Sequence, residues 1–397
     1  MLGRFWTVLR PVPGHQNREE YPTMLEMKRA VLFMDDETEG GAGLQKPLML
    51  QSVLFCPMLT WLSDALREVG VERFFVLCPG QYREEALACF ASAENVTVSD
   101  QLRALADFLE GEEKTLVVPG AAVPVDSAGK NEVYAVAGDA LAHSLRTGSG
   151  EVEGAQSVPG FTTIDSQRAL NSMQFLGRSK MLRRLLEDGV NVLDPNNTYI
   201  DPRVRVGAGT LVLPGTILRG RTVIGRNCEI GPNTMITNCT VGDDTVVNAS
   251  QINDSTVGSR TNIGPFAYVR PNCTIGDDIK VGDFVEVKNS TLGNGTKISH
   301  LTYVGDSDVG EHVNFGCGTV TVNFDGKDKH RCTIGDHVFL GCNTNLVAPV
   351  TVGDGAYTAA GSTITGEVPE GSLAIARARQ TNLPEWADKR RKEGRLR

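Results

Sequence analysis

The chain has 397 residues, 41% hydrophobic and 22% charged, the balance of a soluble globular protein with room for two or three domains. A net charge of −9 excludes the basic footprint that nucleic-acid binding needs, and no apolar run approaches the roughly 20 residues that cross a membrane. The nine cysteines form no CxxC pair, which excludes zinc-finger spacing, and they read as buried thiols of a reducing cytosol, so the expected location is cytoplasmic.

The opening "MLGRFWTVLRPVPG" is too short and too interrupted for a signal peptide, and Met24 or Met27 could be the true start. Residues 1–29 are therefore taken as an N-terminal extension. From there strands and helices alternate. "AVLFMD" (30–35) is a strand; "LTWLSDALREVG" puts Leu59, Leu62, Leu66 and Val69 on one helical stripe that Gly70 can end. "VERFFVLC" and "TLVVPG" are further strands, and "YREEALACFASA" and "QLRALADFLEG" further helices. Such alternation predicts a parallel sheet covered by helices over 30–165. Residues 146–160 read as a loose surface segment and 166–194 as a helical connector. After the first strand comes "LFMDDETEGGAGLQKPLM", with Gly40, Gly41 and Gly43 ahead of Lys46-Pro47. This is the outline of a phosphate loop, yet Asp35, Asp36, Glu37 and Glu39 stand just before the glycines and would repel a triphosphate.

Beyond Asp194 the period changes. Aliphatic residues recur every six positions at Ile200, Val206, Val212, Leu218, Ile224, Ile230 and Ile236, then from Val257 to Val287, then from Ile334 to Ile364. The phase slips by a residue at a few places and resumes. Neither a helix nor a single strand has this period; a fixed internal repeat signals a solenoid. Six residues per side and three sides per coil give a triangular prism with aliphatic residues inward and Gly, Asn and Asp at the corners. The expectation is a parallel β-helix of hexapeptide repeats over 195–370, interrupted by an excursion at "VNFDGKDKHRCT" (322–333). Residues 371–397 form a basic tail, "DKRRKEGRLR" at its end, which is either a solvated run or a contact for a phosphorylated ligand.

Arg270 and Lys288 are eighteen residues apart, so on the prism they become stacked cations. They are either an anion clamp, Arg offering a fork and Lys a point charge, or two solvated cations with an acid such as Glu286 nearby. His300 follows a coil later and is the candidate general base, because an imidazole titrates near working pH; a satisfied polar residue is the alternative. Tyr303, Asn314, Asn323 and Lys329 lie within the next coils and the excursion. His312 and His330 share the eighteen-residue spacing, but the excursion intervenes and the coil register is lost, which argues against a zinc pair; His15, His143 and His337 carry no spacing signal.

The motifs "DPNNTYIDPRVRVG", "IGPFAYVRP", "VGDFVEVKNSTLGNGTKISHLTYVGDSDVGEHVNFGCGTVTVNFDGKDKH", "LVAPVTVGDGAYTAAGSTIT" and "LAIARARQ" carry a resemblance over about residues 165–385. The chain resembles the bifunctional bacterial N-acetylglucosamine-1-phosphate uridyltransferase / glucosamine-1-phosphate N-acetyltransferase family. The resemblance implies a Rossmann-like, nucleotide-sugar-transferase-like α/β domain followed by a left-handed parallel β-helix. It implies N-acetylation of glucosamine-1-phosphate by acetyl-CoA, on the route to UDP-N-acetylglucosamine and cell-wall precursors, with no metal needed for acetyl transfer. His300 would take the proton as the sugar amine attacks the thioester, and Glu286 would orient it or hold the sugar. Arg270, Lys288, Tyr303, Asn314 and Lys329 would hold the sugar phosphate. Asn323 and Phe324 would lie by the sugar and the acetyl group. Backbone around Cys317, Cys342 and Ala360 would line the pantetheine path, and Arg377 would meet the CoA phosphate. The family is a homotrimer with sites between subunits.

Three departures stand out. Phe324 replaces the tyrosine of the family's "NYDG", and Cys317 and Cys342 replace residues that are usually Ala and Ser. The family's uridyltransferase half opens with a motif like "LAAGxGTRM" followed by "PK"; here no Arg follows the glycines. Ala121 or Ala122 falls where that family has a metal-binding Asp, with only Asn171 matching the second ligand, and the domain is shorter than usual. Loss of uridyltransferase activity is expected. Alternatives are an N-acetyltransferase for another amino-sugar phosphate, or a regulatory protein that binds a sugar phosphate without turnover.

Overall fold

A computed structural model describes residues 10–11, 27–36, 45–111, 113–124, 132–149 and 151–397. Met24, His15, most of the N-terminal extension and the loop of Glu37, Glu39, Gly40, Gly41 and Gly43 lie outside the described residues. The chain forms two units, Met1–Arg184 with Tyr199–Arg203, and Leu185–Thr198 with Val204–Arg397.

The first unit is built on a six-stranded sheet. Its strands are β1 (Arg29–Phe33), β2 (Arg73–Leu77), β3 (Val96–Ser99), β4 (Lys114–Val118), β5 (Tyr134–Ala137) and β6 (Gln156–Ser157), in the order β6-β5-β4-β1-β2-β3. The strands β4, β1, β2 and β3 are parallel, and β5 and β6 run antiparallel at one edge. β1 is buried throughout, which is why it reads as an apolar run and not as an alternation. Alternate residues still feed two cores. Leu32, Phe74, Val76 and Leu116 pack with Leu59, Leu62 and Leu66 of α1 (Met58–Glu68). Val31, Phe33, Phe75 and Val117 pack on the other face with Leu105 of α3 (Leu102–Phe108) and Leu141 of α4 (Gly138–Thr147). A short α2 spans Arg83–Ala88. The segment expected to be loose and on the surface, 146–160, is mostly exposed in its described residues but is ordered in part: Val152 is fully buried and β6 pairs with β5. An edge strand offers unpaired backbone groups, and β6 satisfies them despite its polar sequence.

Among the described residues Arg29 is the largest fully buried side chain of this unit. Its Nε donates to Thr115 Oγ1 at 2.5 Å, and its Nη atoms donate to the carbonyls of Phe108, Leu109, Glu110, Gly111 and Glu113 at 2.7–3.4 Å. Those carbonyls are the unpaired end of α3 and the turn that follows it, so one guanidinium fixes the α3–β4 connection. Burial lowers the Arg29 pKa, with Glu113 opposing.

The helix α5 (Gln167–Glu187) leads to the second unit, a left-handed β-helix whose three parallel sheets form the faces of a prism. The first coil strand is Asn191–Val192 and the last Leu373–Ala374, slightly outside the expected 195–370. Val192 points inward and pairs with Val212 without the glycine that marks other coils, so its place was hidden in the sequence. On the second face Leu218, Ile236, Ile252, Val269 and Val287 stack in register, all buried. The slips in period are shorter coils: Ile236 pairs with Ile252 and Ile252 with Val269, which takes residues out of corners and leaves the inward stack intact. Corner residues with φ near +50° are mostly Asn and Asp, the non-glycine residues that best tolerate it. The excursion appears where the second face runs from Val320–Val322 to its next strand Asn345–Val347. α6 (Trp386–Lys392) lies exposed in the basic tail. Among the described residues no helix is long and apolar enough to cross a membrane.

Replacing Arg29 with Met leaves several buried carbonyls unpaired at once. The expected cost is about 3 kcal/mol or more in urea unfolding of this unit; a loss under about 1 kcal/mol would show that the guanidinium is not what fixes the α3–β4 connection.

Candidate active site

In-register pairing sets the site. Asp283 pairs with His300 across neighbouring coils of the first face, and His300 Nδ1 meets Asp283 Oδ1 at 2.6 Å. This hydrogen bond is the main cause that holds the Asp283 carboxyl below its usual range. The carboxylate keeps the proton on Nδ1 and leaves the Nε2 lone pair on the far side of the ring free to accept a proton. The imidazole is 56% exposed, open to a ligand.

Around the corner, the second face carries a polar column. Tyr268, Glu286 and Tyr303 stack in register. Glu286 Oε1 accepts from Arg270 Nη1 at 2.9 Å. The carboxylate at hydrogen-bond distance from the His300 ring is thus Asp283, while Glu286, considered for orienting it or holding the sugar, stands on the next face and is engaged by Arg270. Asp283 escaped the sequence reading because it lies seventeen residues before His300, one short of the eighteen used for Arg270 and Lys288. The shorter coil was the missing signal.

Lys288 follows Arg270 in the stack, pairing with Gly305 on the next coil. The neighbouring Lys329 first, then burial and the charge of Arg270, lower its pKa from the ordinary 10.5, with Asp306 opposing. Lys329 reaches Lys288 because the excursion folds back as a tied turn. Phe324 and Lys329 form an antiparallel bridge, Asp325 Oδ1 accepts from the backbone N–H of Lys327 and Asp328 at 2.8 Å, and Asp325 Oδ2 meets His330 Nε2 at 2.8 Å. These contacts, His330 foremost, drive the Asp325 pKa far down. Arg331 anchors the far end on Asp308 Oδ2 at 2.9 Å.

Beneath the cations Asp306 is buried. Burial raises its pKa, but amide hydrogen bonds from Asn289 and Asn323 and the charges of Lys288 and Lys329 outweigh it, so the net shift is downward. Asn323 Nδ2 also donates to Tyr303 Oη at 3.3 Å. Gly305 leaves the space that the Tyr303 hydroxyl and the Asn323 amide occupy. Phe324 is 55% exposed at the rim.

The remaining candidates sit elsewhere. Asn314 is on the first face, stacked between Lys297 and Phe339, and one chain does not bring it to Lys288. Cys317, Cys342 and Ala360 continue the corner column of His300, and Arg377 lies against Gly361 just beyond. His312 and His337 stack at 5.2 Å, so His337 did carry a spacing, lengthened by the excursion. Among the described residues no three His, Cys, Asp or Glu side chains are placed to hold a metal ion. In the first unit Lys46 is paired with Glu85 at 2.5 Å, Asp36 accepts from Gln81, and Ala121 and Ala122 are buried.

The model of the bacterial transferase hexapeptide (six repeats) matches residues 254–289 and 331–366. The chain is 53% identical over 227 residues to the bifunctional protein GlmU of Clostridium tetani, covering 57% of this chain and 50% of that protein. It is 50% identical over 243 residues to that of Clostridium kluyveri, covering 61% and 53%. The chain thus spans about half the length of the curated relatives it matches, and over that part the resemblance read from the motifs holds. Among solved structures, an Arabidopsis UDP-N-acetylglucosamine acyltransferase aligns at 15% identity and a TM-score of 0.33, over 52% of this chain and 76% of that one.

Because Lys329 is the first cause of the lowered Lys288 pKa, Lys329→Met should move the Lys288 titration up toward 10.5. Inorganic phosphate should do the same, with its affinity falling as pH rises through the lowered value. NMR of the lysine Cε–Hε groups reads both; a Lys288 titration unmoved by either would contradict the cluster.

Proposed function

We propose that this chain is an acetyl-CoA-dependent N-acetyltransferase acting on glucosamine-1-phosphate, on the route to UDP-N-acetylglucosamine and cell-wall precursors. The observation that carries this reading is the pairing of an oriented base, Asp283–His300, with the convergent cations Arg270, Lys288 and Lys329 in the same few coils. Two neighbouring ammonium groups repel unless an anion lies between them. A sugar phosphate is such an anion, and its 2-amino group is the nucleophile that a neutral imidazole serves. The amine nitrogen attacks the thioester carbonyl, His300 Nε2 takes the amine proton, the C–S bond breaks, and CoA leaves as the thiol once protonated. Binding and one positioned base suffice, with no covalent enzyme intermediate and no metal.

Glu286, with Arg270, faces the sugar side, Tyr303 and Asn323 complete it, and Phe324 gives the rim an apolar edge. The acyl donor runs along the corner of Cys317, Cys342 and Ala360 toward Arg377. Asn314 joins the site from a neighbouring copy in a cytoplasmic homotrimer, since it opens its strand opposite Lys297, at the end away from the corner that carries His300. The first unit has no uridyltransferase activity in this reading: Lys46 is engaged by Glu85, and buried alanines stand where a metal-binding acid is needed.

The test is CoA release from acetyl-CoA and glucosamine-1-phosphate. His300→Ala should lower kcat by roughly a hundredfold or more, and Lys288→Ala should mainly raise KM for the sugar phosphate. No turnover by the unaltered chain would sink the reading for this acceptor. Supplied with UTP and N-acetylglucosamine-1-phosphate, the chain should release no pyrophosphate; clear release would overturn the account of the first unit.

A further inference from the structure

Seven of the nine cysteines, Cys56, Cys78, Cys89, Cys228, Cys239, Cys273 and Cys332, are buried, and burial raises their thiol pKa values. Cys317 is partly exposed and Cys342 exposed, and both are free thiols. They are also neighbours. Phe315 pairs with Leu340, which puts Cys317 beside Cys342 two residues on, and Asn343 N donates to Cys317 O at 2.8 Å. The coils approach closely here, since a Cβ on Gly316 would lie 2.5 Å from Cys342 N. The same register runs on both sides: Gly318 N donates to Leu301 O at 3.1 Å and Gly361 N to Cys342 O at 2.8 Å. His300, Cys317, Cys342 and Ala360 therefore form one outward column along the corner.

We infer that Cys317 and Cys342 are an oxidisable dithiol that closes the acyl-donor path by forming a reversible disulfide. The effect on catalysis rests on the function proposed above; the thiol chemistry does not. Adjacent parallel strands stand about 4.8 Å apart, inside the 4.4–6.8 Å Cα range of disulfides. The oxidant is a peroxide. The exposed Cys342 thiolate attacks one oxygen of hydrogen peroxide, the O–O bond breaks, and a sulfenic acid and one water result. The Cys317 thiolate then attacks the Cys342 sulfur, which expels the second water and forms the S–S bond. A small dithiol reverses it by exchange, leaving as its own cyclic disulfide. The bridge ties the two side chains together on the corner next to His300 and so changes the wall along which the acyl donor runs.

The experiment oxidises the reduced full chain with hydrogen peroxide and maps peptides without reduction by mass spectrometry. The expected product is an intramolecular Cys317–Cys342 peptide, two hydrogens lighter than its parts. CoA release, measured by chromatography, should fall at least tenfold and return with dithiothreitol. Cys317→Ser and Cys342→Ser are each compared with their own reduced form, and their ratio of oxidised to reduced activity should stay near one. Cys317 and Cys342 recovered unlinked, or linked to other cysteines, overturn the inference whatever the chain catalyses. So does a linked chain that turns over at the reduced rate, or a serine variant as sensitive as the parent. A reduced chain without turnover sinks the proposed function, while the peptide map still decides the disulfide.

Discussion

The inward stack of one aliphatic residue per hexad is the constraint on which the second unit depends. It fixes neighbouring coils in parallel register, about 4.8 Å apart, so a residue's outward neighbours are set by which coil it occupies. Asp283 lies against His300, and Arg270 against Lys288, because Val281 pairs with Ile298 and Val269 with Val287. A polar site thus rests on apolar packing, and each site residue is a few bonds from a buried one. Gly282 makes the point locally: any Cβ there would strike the backbone of Ser299, so the strand carrying Asp283 can approach the one carrying His300.

The excursion adds the one element that register alone cannot supply. It brings Lys329 back onto Lys288 through a turn whose geometry comes from a single carboxylate, Asp325, bonded to two backbone N–H groups and to His330. The energetic conflict of two adjacent ammonium groups is balanced from below by Asp306, itself held by two amides. That contribution of Asp306 is present above the usual carboxylate value of 3.8 and is lost as pH falls through the lower value it has in the fold. The cluster thus sets the lowered pKa of Lys288 against the lowered pKa of Asp306, two cations above and one carboxylate below.

Much of this was legible in the sequence, for identifiable reasons. The hexad period names the prism, the eighteen-residue spacing pairs Arg270 with Lys288, and the broken period marks the excursion. What stayed hidden depended on where the coils shorten. Asp283 was missed because the coil to His300 has seventeen residues, and the contact of Glu286 with Arg270 was read only as an acid near two cations. The fold-back of Lys329 depends on side-chain bonds that no period encodes. In the first unit the buried β1 announced itself as an apolar run, but the role of Arg29 did not: a charged residue opening a strand looks solvent-facing until the carbonyls that end α3 are seen around it.

The central claim is that Asp283 holds His300 in the tautomer that accepts the amine proton. The direct measurement is the steady-state kinetics of acetyl transfer by Asp283→Asn. The account predicts a fall in kcat of roughly a hundredfold with KM for the sugar phosphate little changed, because the base loses its orienting charge while the cation cluster is intact. A kcat equal to that of the unaltered chain would contradict it.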